Sequence, residues 1–257
     1  MKELWDRLER WARENAGKTL GLRPGASAAA IGKAEKAMKL VFPPDLRASL
    51  LAHDGQDVER DDLFEWLPGV APLQPLASIV ERWKDEVDMA ADGDPDDGRT
   101  EGPLHAVLRH AKRIPIAGTR YWDGDNTYVD LHPSSSGTAG QIITFTSECD
   151  LSCLGTSLTD AVTHYLDALE SGEWVYSKAK GHVMPKGEPA DEHPNESYEF
   201  EQYLAKKAAA AKKTAKATPA AKAPTPAAKA AKKPATKKPA TKKPAAKKPA
   251  TKATKRR

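Results

Sequence analysis

All 6 Trp, all 6 Tyr and all 4 Phe of this 257-residue chain lie before Leu204, so only the part up to that point can build an aromatic core. Past Leu204 the apolar side chains are Ala and Pro alone, and residues 231–250 read AKKPA, TKKPA, TKKPA, AKKPA with a five-residue period. Such a stretch cannot bury enough apolar surface to offset the entropy of ordering it. Proline in every repeat removes a backbone donor and turns the preceding residue away from helix. The expectation is a folded region followed by a disordered, extended tail, partly polyproline II. Between the two, Tyr203–Lys216 lacks proline and is Ala-rich, which permits a short frayed helix.

Charge divides at the same place. The whole chain carries a formal +4, but 19 of its 40 Lys and Arg fall from Leu204 onward, with no Asp or Glu among them. The first 203 residues keep 21 basic against 36 acidic side chains, a net −15. Asymmetry of this size points to a polyanionic partner for the tail. Paired lysines can follow a phosphate backbone without fixed register, giving affinity that falls steeply with salt. The candidate nucleic-acid contacts are Lys232, Lys233, Lys237, Lys238, Lys242, Lys243, Lys247, Lys248, Lys252, Lys255, Arg256 and Arg257. With no aromatics to stack on bases and few Arg to read guanine, the tail is expected to bind DNA or RNA without sequence readout. Its composition resembles the C-terminal tails of histone H1 and of bacterial H1-like proteins. A solubilising linker, or a tail that masks its own acidic domain, would show the same composition.

The N-terminal part reads as one α+β domain. Leu4, Trp5, Leu8 and Trp11 share a helical face that Gly17 ends. Ser27 can cap a second helix bearing Ile31, Ala34 and Met38, and Pro43-Pro44 opens a third with Leu46, Leu50 and Leu51 inward. A fourth carries Leu76, Ile79, Val80, Trp83 and Val87. Strand patterns appear next at 114–117, 127–131 and 141–145, separated by the turns WDGDN and SSSGTAG. Ser157-x-x-Asp160 then begins a closing helix that Gly172 ends. This order predicts a mostly antiparallel sheet flanked by helices. The expected boundaries are an acidic globular domain over 1–177, an acidic linker over 178–203 and the basic tail over 204–257.

Several blocks in this order, IGKAEKAMKLVFPPDLRASLLAHDGQ (31–56), IPIAGTRYWDGDNTYVDLHP (114–133), GQIITF (140–145) and TSLTDAVTHYLDAL (156–169), resemble the SMI1/KNR4 family, also called SUKH. The resemblance covers about residues 20–176 and implies a binding module rather than an enzyme. Bacterial members are linked to polymorphic toxin systems, many as immunity proteins; fungal members serve as regulatory scaffolds in cell-wall synthesis and signalling. An acidic domain suits the basic cleft of a nuclease toxin, and complementary charge would speed that encounter. The lysine-rich tail departs from a simple immunity protein.

Candidate sites in the domain are few. Asp92, Asp94 and Asp96 have the 1-3-5 spacing of a calcium loop, but Asp97 stands where Gly is needed and Pro103 where the bidentate Glu belongs. Asp123, Asp125 and Asp130 with His132 could serve acid–base or metal chemistry, yet Asp-Gly and Asp-Asn are also favoured turn residues. Cys149 and Cys153 are too few for a disulfide framework and lack a second pair for zinc. No metal or cofactor and no enzymatic activity is expected. The expected protein-binding surface is Tyr121, Trp122, Asp123, Asp125 and Asn126, since exposed aromatics anchor interfaces, although Trp122 would also fit beneath the sheet. No apolar run approaches the roughly 20 residues that cross a bilayer. A cytoplasmic protein, nucleoid-associated through its tail and without a membrane partner, is the expectation.

Overall fold

The computed structural model describes residues 1–91, 98–107, 109–146, 151–187 and 196–217. Helix α1 (Lys2–Trp11) buries Trp5 and Leu8 and runs on as a π-helical stretch over Ala12–Ala16 until Gly17 turns left-handed at φ 67°. In α2 (Ala28–Met38) Ser27 Oγ accepts the Ala30 N–H at 3.1 Å, and Ile31, Ala34 and Met38 are buried. Pro44 opens α3 (Pro44–Ala52), at the turn where a missing N–H costs nothing. Leu46 and Leu50 face the core, whereas Leu51, expected inward, is exposed. Adjacent residues lie about 100° apart around a helix, and here the stripe that meets the core takes in Leu46 and Leu50 and leaves Leu51 beyond its edge. Helix α4 (Leu76–Ala91) receives its cap from far away, since Asp54 Oδ1 accepts the Leu76 N–H at 2.7 Å.

The strands form a short hairpin, β1 (Thr100–Glu101) with β2 (Leu104–His105), and a four-stranded antiparallel meander. The meander is β3 (Arg113–Ala117), β4 (Asn126–Asp130), β5 (Gln141–Phe145) and β6 (Leu151–Gly155), in sequence order. Val129 of β4 lies between Ile114 and Ile142, and these three join Ile116 and Leu154 in the core shared with the helices. Tyr128 and Ile143 face the other way and are covered by Leu104 from β2. All five residues of β4 are thus buried, which explains why its sequence alternates so weakly. Helix α5 (Leu158–Glu170) closes over the sheet, with Ser157 Oγ accepting the Asp160 N–H at 3.1 Å. Asp160 reaches back to the N–H and hydroxyl of Thr156, both at 2.9 Å, a capping box displaced by one residue.

Two expectations need correction, the acidic linker over 178–203 and the domain end at 177. Beyond α5, strands β7 (Trp174–Ser177) and β8 (His182–Pro185) pair as a hairpin, and α6 (Glu196–Ala217) packs its first turns on the core. Phe200 is fully buried, edge-on to Tyr165 at 5.9 Å and to Trp174 at 5.3 Å. Glu201 Oε1 accepts the Cys153 N–H at 2.9 Å, so α6 covers the exposed edge of β6. Phe200, Tyr203 and Leu204 form an i, i+3, i+4 stripe, which the surrounding acidic composition obscures in the sequence. The compact unit runs Met1–Ala217, so the boundary expected at Leu204 falls inside a helix. The tail lysines expected to contact nucleic acid, Lys232 to Arg257, lie outside the described residues.

The hairpin docks through a carboxyl group that carries a pH signature. Glu65 Oε1 accepts the Val183 N–H at 2.7 Å and Oε2 the Gly69 N–H at 3.0 Å. Burial, with the nearby Glu196 adding to it, pushes the Glu65 carboxyl up to about 7. A folded pKa above the unfolded 4.5 means that the native state holds the proton more tightly. Its contribution is therefore fully present below pH 4.5 and lost as pH rises through about 7. Comparing wild type with Glu65→Gln at about pH 5 and about pH 8 should show the wild type losing on the order of 3 kcal/mol relative to the variant. Parallel pH profiles of the two proteins in urea melts would dispose of this assignment.

Candidate functional site

The β3–β4 turn, where the sequence places its protein-binding residues, is held from below by a closed hydrogen-bond network. Gln74, 2% exposed, donates Nε2–H to the carbonyls of Gly118 at 2.7 Å and Thr119 at 3.1 Å. Its Oε1 accepts the Ser78 hydroxyl at 3.1 Å, and Ser78 Oγ in turn accepts the Trp122 indole N–H at 3.0 Å. Trp122 has a left-handed φ of 57°, a strain on the order of 1–2 kcal/mol for a side chain of this size. The indole's anchoring offsets it: the Arg82 guanidinium stands 5.7 Å over the ring, and Gly118 lets the ring lie against bare backbone. A Cβ at Gly118 would come within 2.4 Å of the Trp122 ring and 2.8 Å of Asn126 Oδ1.

This support lifts Tyr121 clear of the surface, where it is 73% exposed. Asp123 is exposed beside it, with its N–H donated to Thr119 Oγ1 at 3.2 Å and a short bond from that hydroxyl to its carboxylate. Of the five expected contact residues, Tyr121 and Asp123 are brought to the surface, and Asp125 is half-buried. Trp122 is half-buried and turned toward α4, and Asn126 is 5% exposed at the start of β4. Trp122 and Asn126 therefore shape the turn from beneath.

A second loop completes the surface. Arg120 Nη1 bridges to Glu59 Oε2 at 2.6 Å, joining the turn to the run Asp57–Asp62 (DVERDD). Within that run Arg60 forks onto Asp62 at 2.8 and 2.9 Å. Glu59 is thus tied to the turn that carries Tyr121, Asp123 and Asp125, its own run adds Asp57, Asp61 and Asp62, and the two arginines of these loops, Arg60 and Arg120, are both matched by carboxylates. Arg120 also stacks its guanidinium over the Tyr121 ring at 5.4 Å. The DVERDD run is not among the sites expected from the sequence, and its path is fixed at one end by Gln56. That fully buried side chain donates to the Leu20 carbonyl at 2.7 Å and accepts the Leu73 N–H at 2.9 Å.

The other candidates are dispersed. Asp130 is fully buried under the sheet, 3.5 Å from Arg113 Nε, 3.0 Å from Gln141 Nε2 and 2.8 Å from the His132 N–H. It does not converge with Asp123, and His132 lies sandwiched between His105 and His110 at ring distances of 4.4 and 3.9 Å. Among the described residues no group of three or more His, Cys, Asp or Glu is placed to hold a metal. Asp92, Asp94, Asp96 and Asp97 lie outside the described residues, as does Cys149. Burial pushes the Cys153 thiol up to about 11, so it is a poor nucleophile. Among the described residues no helix is long and apolar enough to cross a membrane.

A family model described as SMI1 / KNR4 family (SUKH-1) matches residues 25–164, more than half of the chain. The chain belongs to the SMI1/KNR4 family. The matched span holds α2 to α4, the four-stranded sheet, the whole Tyr121 surface and the first half of α5; α1, the β7–β8 hairpin and α6 fall outside it. The histidine–aspartate–glycine segment at 53–55 has a structural account. Asp54 caps α4, and Gly55 has φ +72° with its α-carbon so close to Gln74 that a Cβ would lie 2.6 Å from backbone. Among curated proteins the chain is 28% identical over 190 residues to the cell wall biosynthesis/cell cycle regulator smi1 of Schizosaccharomyces pombe. It is 25% identical over 208 residues to a glucan synthesis regulatory protein of Neurospora crassa. A KNR4/SMI1 homolog of Yarrowia lipolytica is 24% identical over 226 residues. These alignments take in 68%, 66% and 66% of this SMI1/KNR4 chain but 37%, 38% and 30% of those relatives, so it spans less than two fifths of each.

Proposed function

We propose that this SMI1/KNR4 domain is a non-enzymatic binding module whose acidic rim docks a basic protein surface, while the lysine-rich tail holds it non-specifically on DNA or RNA. One observation carries the reading: an exposed Tyr121 shares its turn with Asp123 and Asp125, Arg120 ties that turn to Glu59 of the acidic run 57–62, and the cations of the two loops, Arg60 and Arg120, are already matched. An aromatic anchor inside a like-charged rim suits a partner of opposite charge, because complementary potential raises the encounter rate and disfavours wrong partners. The names of the relatives, regulators of cell-wall and glucan synthesis, are in keeping with a non-catalytic role. The same rim would also suit the basic cleft of a nuclease-type toxin, which makes immunity the second reading.

The test is a pull-down from the native host with full-length protein, Tyr121→Ala/Asp123→Lys, and a chain ending at Ala217, each with and without nuclease. Partners of the rim should survive nuclease and drop about thirtyfold in affinity in the double variant, as for an anchor contributing about 2 kcal/mol. Equal capture by the double variant sinks the rim assignment. In parallel, the shortened chain should lose duplex DNA retardation at about 0.1 M salt. Retardation equal to that of the full chain refutes the tether, and capture of a nuclease toxin favours immunity.

A further inference from the structure

The β7–β8 hairpin and α6 enclose an open cleft of about 310 Å³, built wholly from residues outside the family-matched span. Trp174, 1% exposed, lies at its base with Tyr203 edge-on at 5.9 Å. Tyr198, 49% exposed, lines it together with Pro185, Lys186 and Lys206. Along α6 the residues Tyr198, Gln202 and Lys206 stand at i, i+4 and i+8, on one stripe of the helix facing the cleft.

The electrostatics of this corner run against those of the domain. Its carboxylates are largely engaged: Glu173 holds Lys207 at 3.1 Å and the Tyr203 hydroxyl, Glu196 faces His182 Nδ1 at 3.4 Å, and Glu201 caps the Cys153 N–H. Glu199 also lines the cleft. Against these, Lys178, Lys180, Lys186, Lys206 and Lys212 are exposed on the hairpin and the helix. A domain that is strongly acidic overall thus turns a lysine-fringed, tyrosine-bearing cleft outward at the root of its basic C-terminal sequence.

We propose that this cleft is a stacking site for single-stranded nucleic acid, one base lying against Tyr198 with Lys186 and Lys206 on the flanking phosphates. A phosphate chain calls for cations, and an unpaired base calls for an aromatic face; the cleft offers both within one base's reach. A duplex keeps its base faces stacked, so it gains from the lysines and nothing from Tyr198. The tail has no aromatic residue and cannot distinguish single from double strands by stacking. The inference deepens the nucleic-acid half of the proposed function and rests on that reading for the class of partner.

The test uses the full chain and a fluorescein-labelled oligothymidylate of about twelve nucleotides, against a duplex of equal length, by anisotropy at about 0.1 M salt. Tyr198→Ala removes an exposed ring and should keep the fold, which a melting curve checks. It is expected to weaken single-strand binding about tenfold while leaving the duplex within about twofold. Lys186→Glu/Lys206→Glu should weaken the single strand at least as much. Replacing the eight lysines of 231–250 by Gln should weaken both ligands. Single-strand affinity unchanged in both cleft variants, or equal losses for both ligands in Tyr198→Ala, overturns the inference. So does a polyglutamate peptide whose binding needs Tyr198 when that of the oligonucleotide does not, which would make the cleft an acidic-peptide site. If the tail variant binds duplex as well as wild type while Tyr198→Ala still discriminates, the tether fails and the cleft stands.

Discussion

Replacing Asp130 by Ala is expected to lower the unfolding free energy by about 3–5 kcal/mol, because it takes the carboxylate from a buried guanidinium. Arg113 and Asp130 have side-chain exposures of 1% and 0%, and they face each other across the β3–β4 register at 3.5 Å. The carboxylate also accepts from Gln141 and from the His132 N–H, so its removal costs two further donors their acceptor. Arg113 would keep its carbonyl partners, the His105 oxygen at 2.9 Å and that of Val107, which carry no full charge. For a unit of this size the melting temperature should fall by about 10 °C. Chemical denaturation of the purified variant decides the matter, and a loss below about 1 kcal/mol would show the pair to be dispensable. Arg113→Met combined with Asp130→Leu should recover much of the loss, since two apolar side chains of similar volume leave no stranded charge.

The second large effect concerns where the folded unit ends. Phe200→Ala should cost about 3–5 kcal/mol, the range for emptying a buried aromatic site. The ring fills the space between Tyr165 on α5, Trp174 on β7 and Tyr203 on its own helix, at centroid distances of 5.9, 5.3 and 5.7 Å. Consistent with this, a chain ending at Ala217 should melt like the full protein. One ending at Tyr203 should melt lower, because it removes Leu204 from the core margin and Lys207 from Glu173. Equal melting of all three chains, with Phe200→Ala unchanged, would return α6 to the status of a linker.

Legibility in the sequence tracks the range of the interactions concerned. The caps at Ser27 and Ser157, the proline opening of α3 and the glycine ends at Gly17 and Gly172 are local matters, set within a turn of chain, and all stand as the residues suggest. The antiparallel sheet was readable because β-branched runs and turn residues alternate within a few positions. The buried Glu86 was not, because a carboxylate in helix α4 goes inward only where a distant partner awaits it. Here Tyr128 donates its hydroxyl to Glu86 at 2.8 Å and Arg82 its Nε–H at 2.9 Å. The rim shows the same division. Tyr121 and Asp123 were legible as turn residues, but the approach of Glu59 was not, because Arg120 bridges segments more than forty residues apart.

The amino-acid order alone determined that aromatic core and basic charge are kept apart, since composition needs no fold to be read. It also carried the family, through blocks whose spacing survives in the sequence. Only the tertiary structure decided where the domain ends, because Phe200 declares itself as core only when Trp174 and Tyr165 stand beside it. It likewise decided that Trp122 supports the turn while Tyr121 presents it, a difference set by one left-handed residue and a hydroxyl on α4. Burial is a property of the neighbours a side chain meets, and those neighbours are distant in sequence.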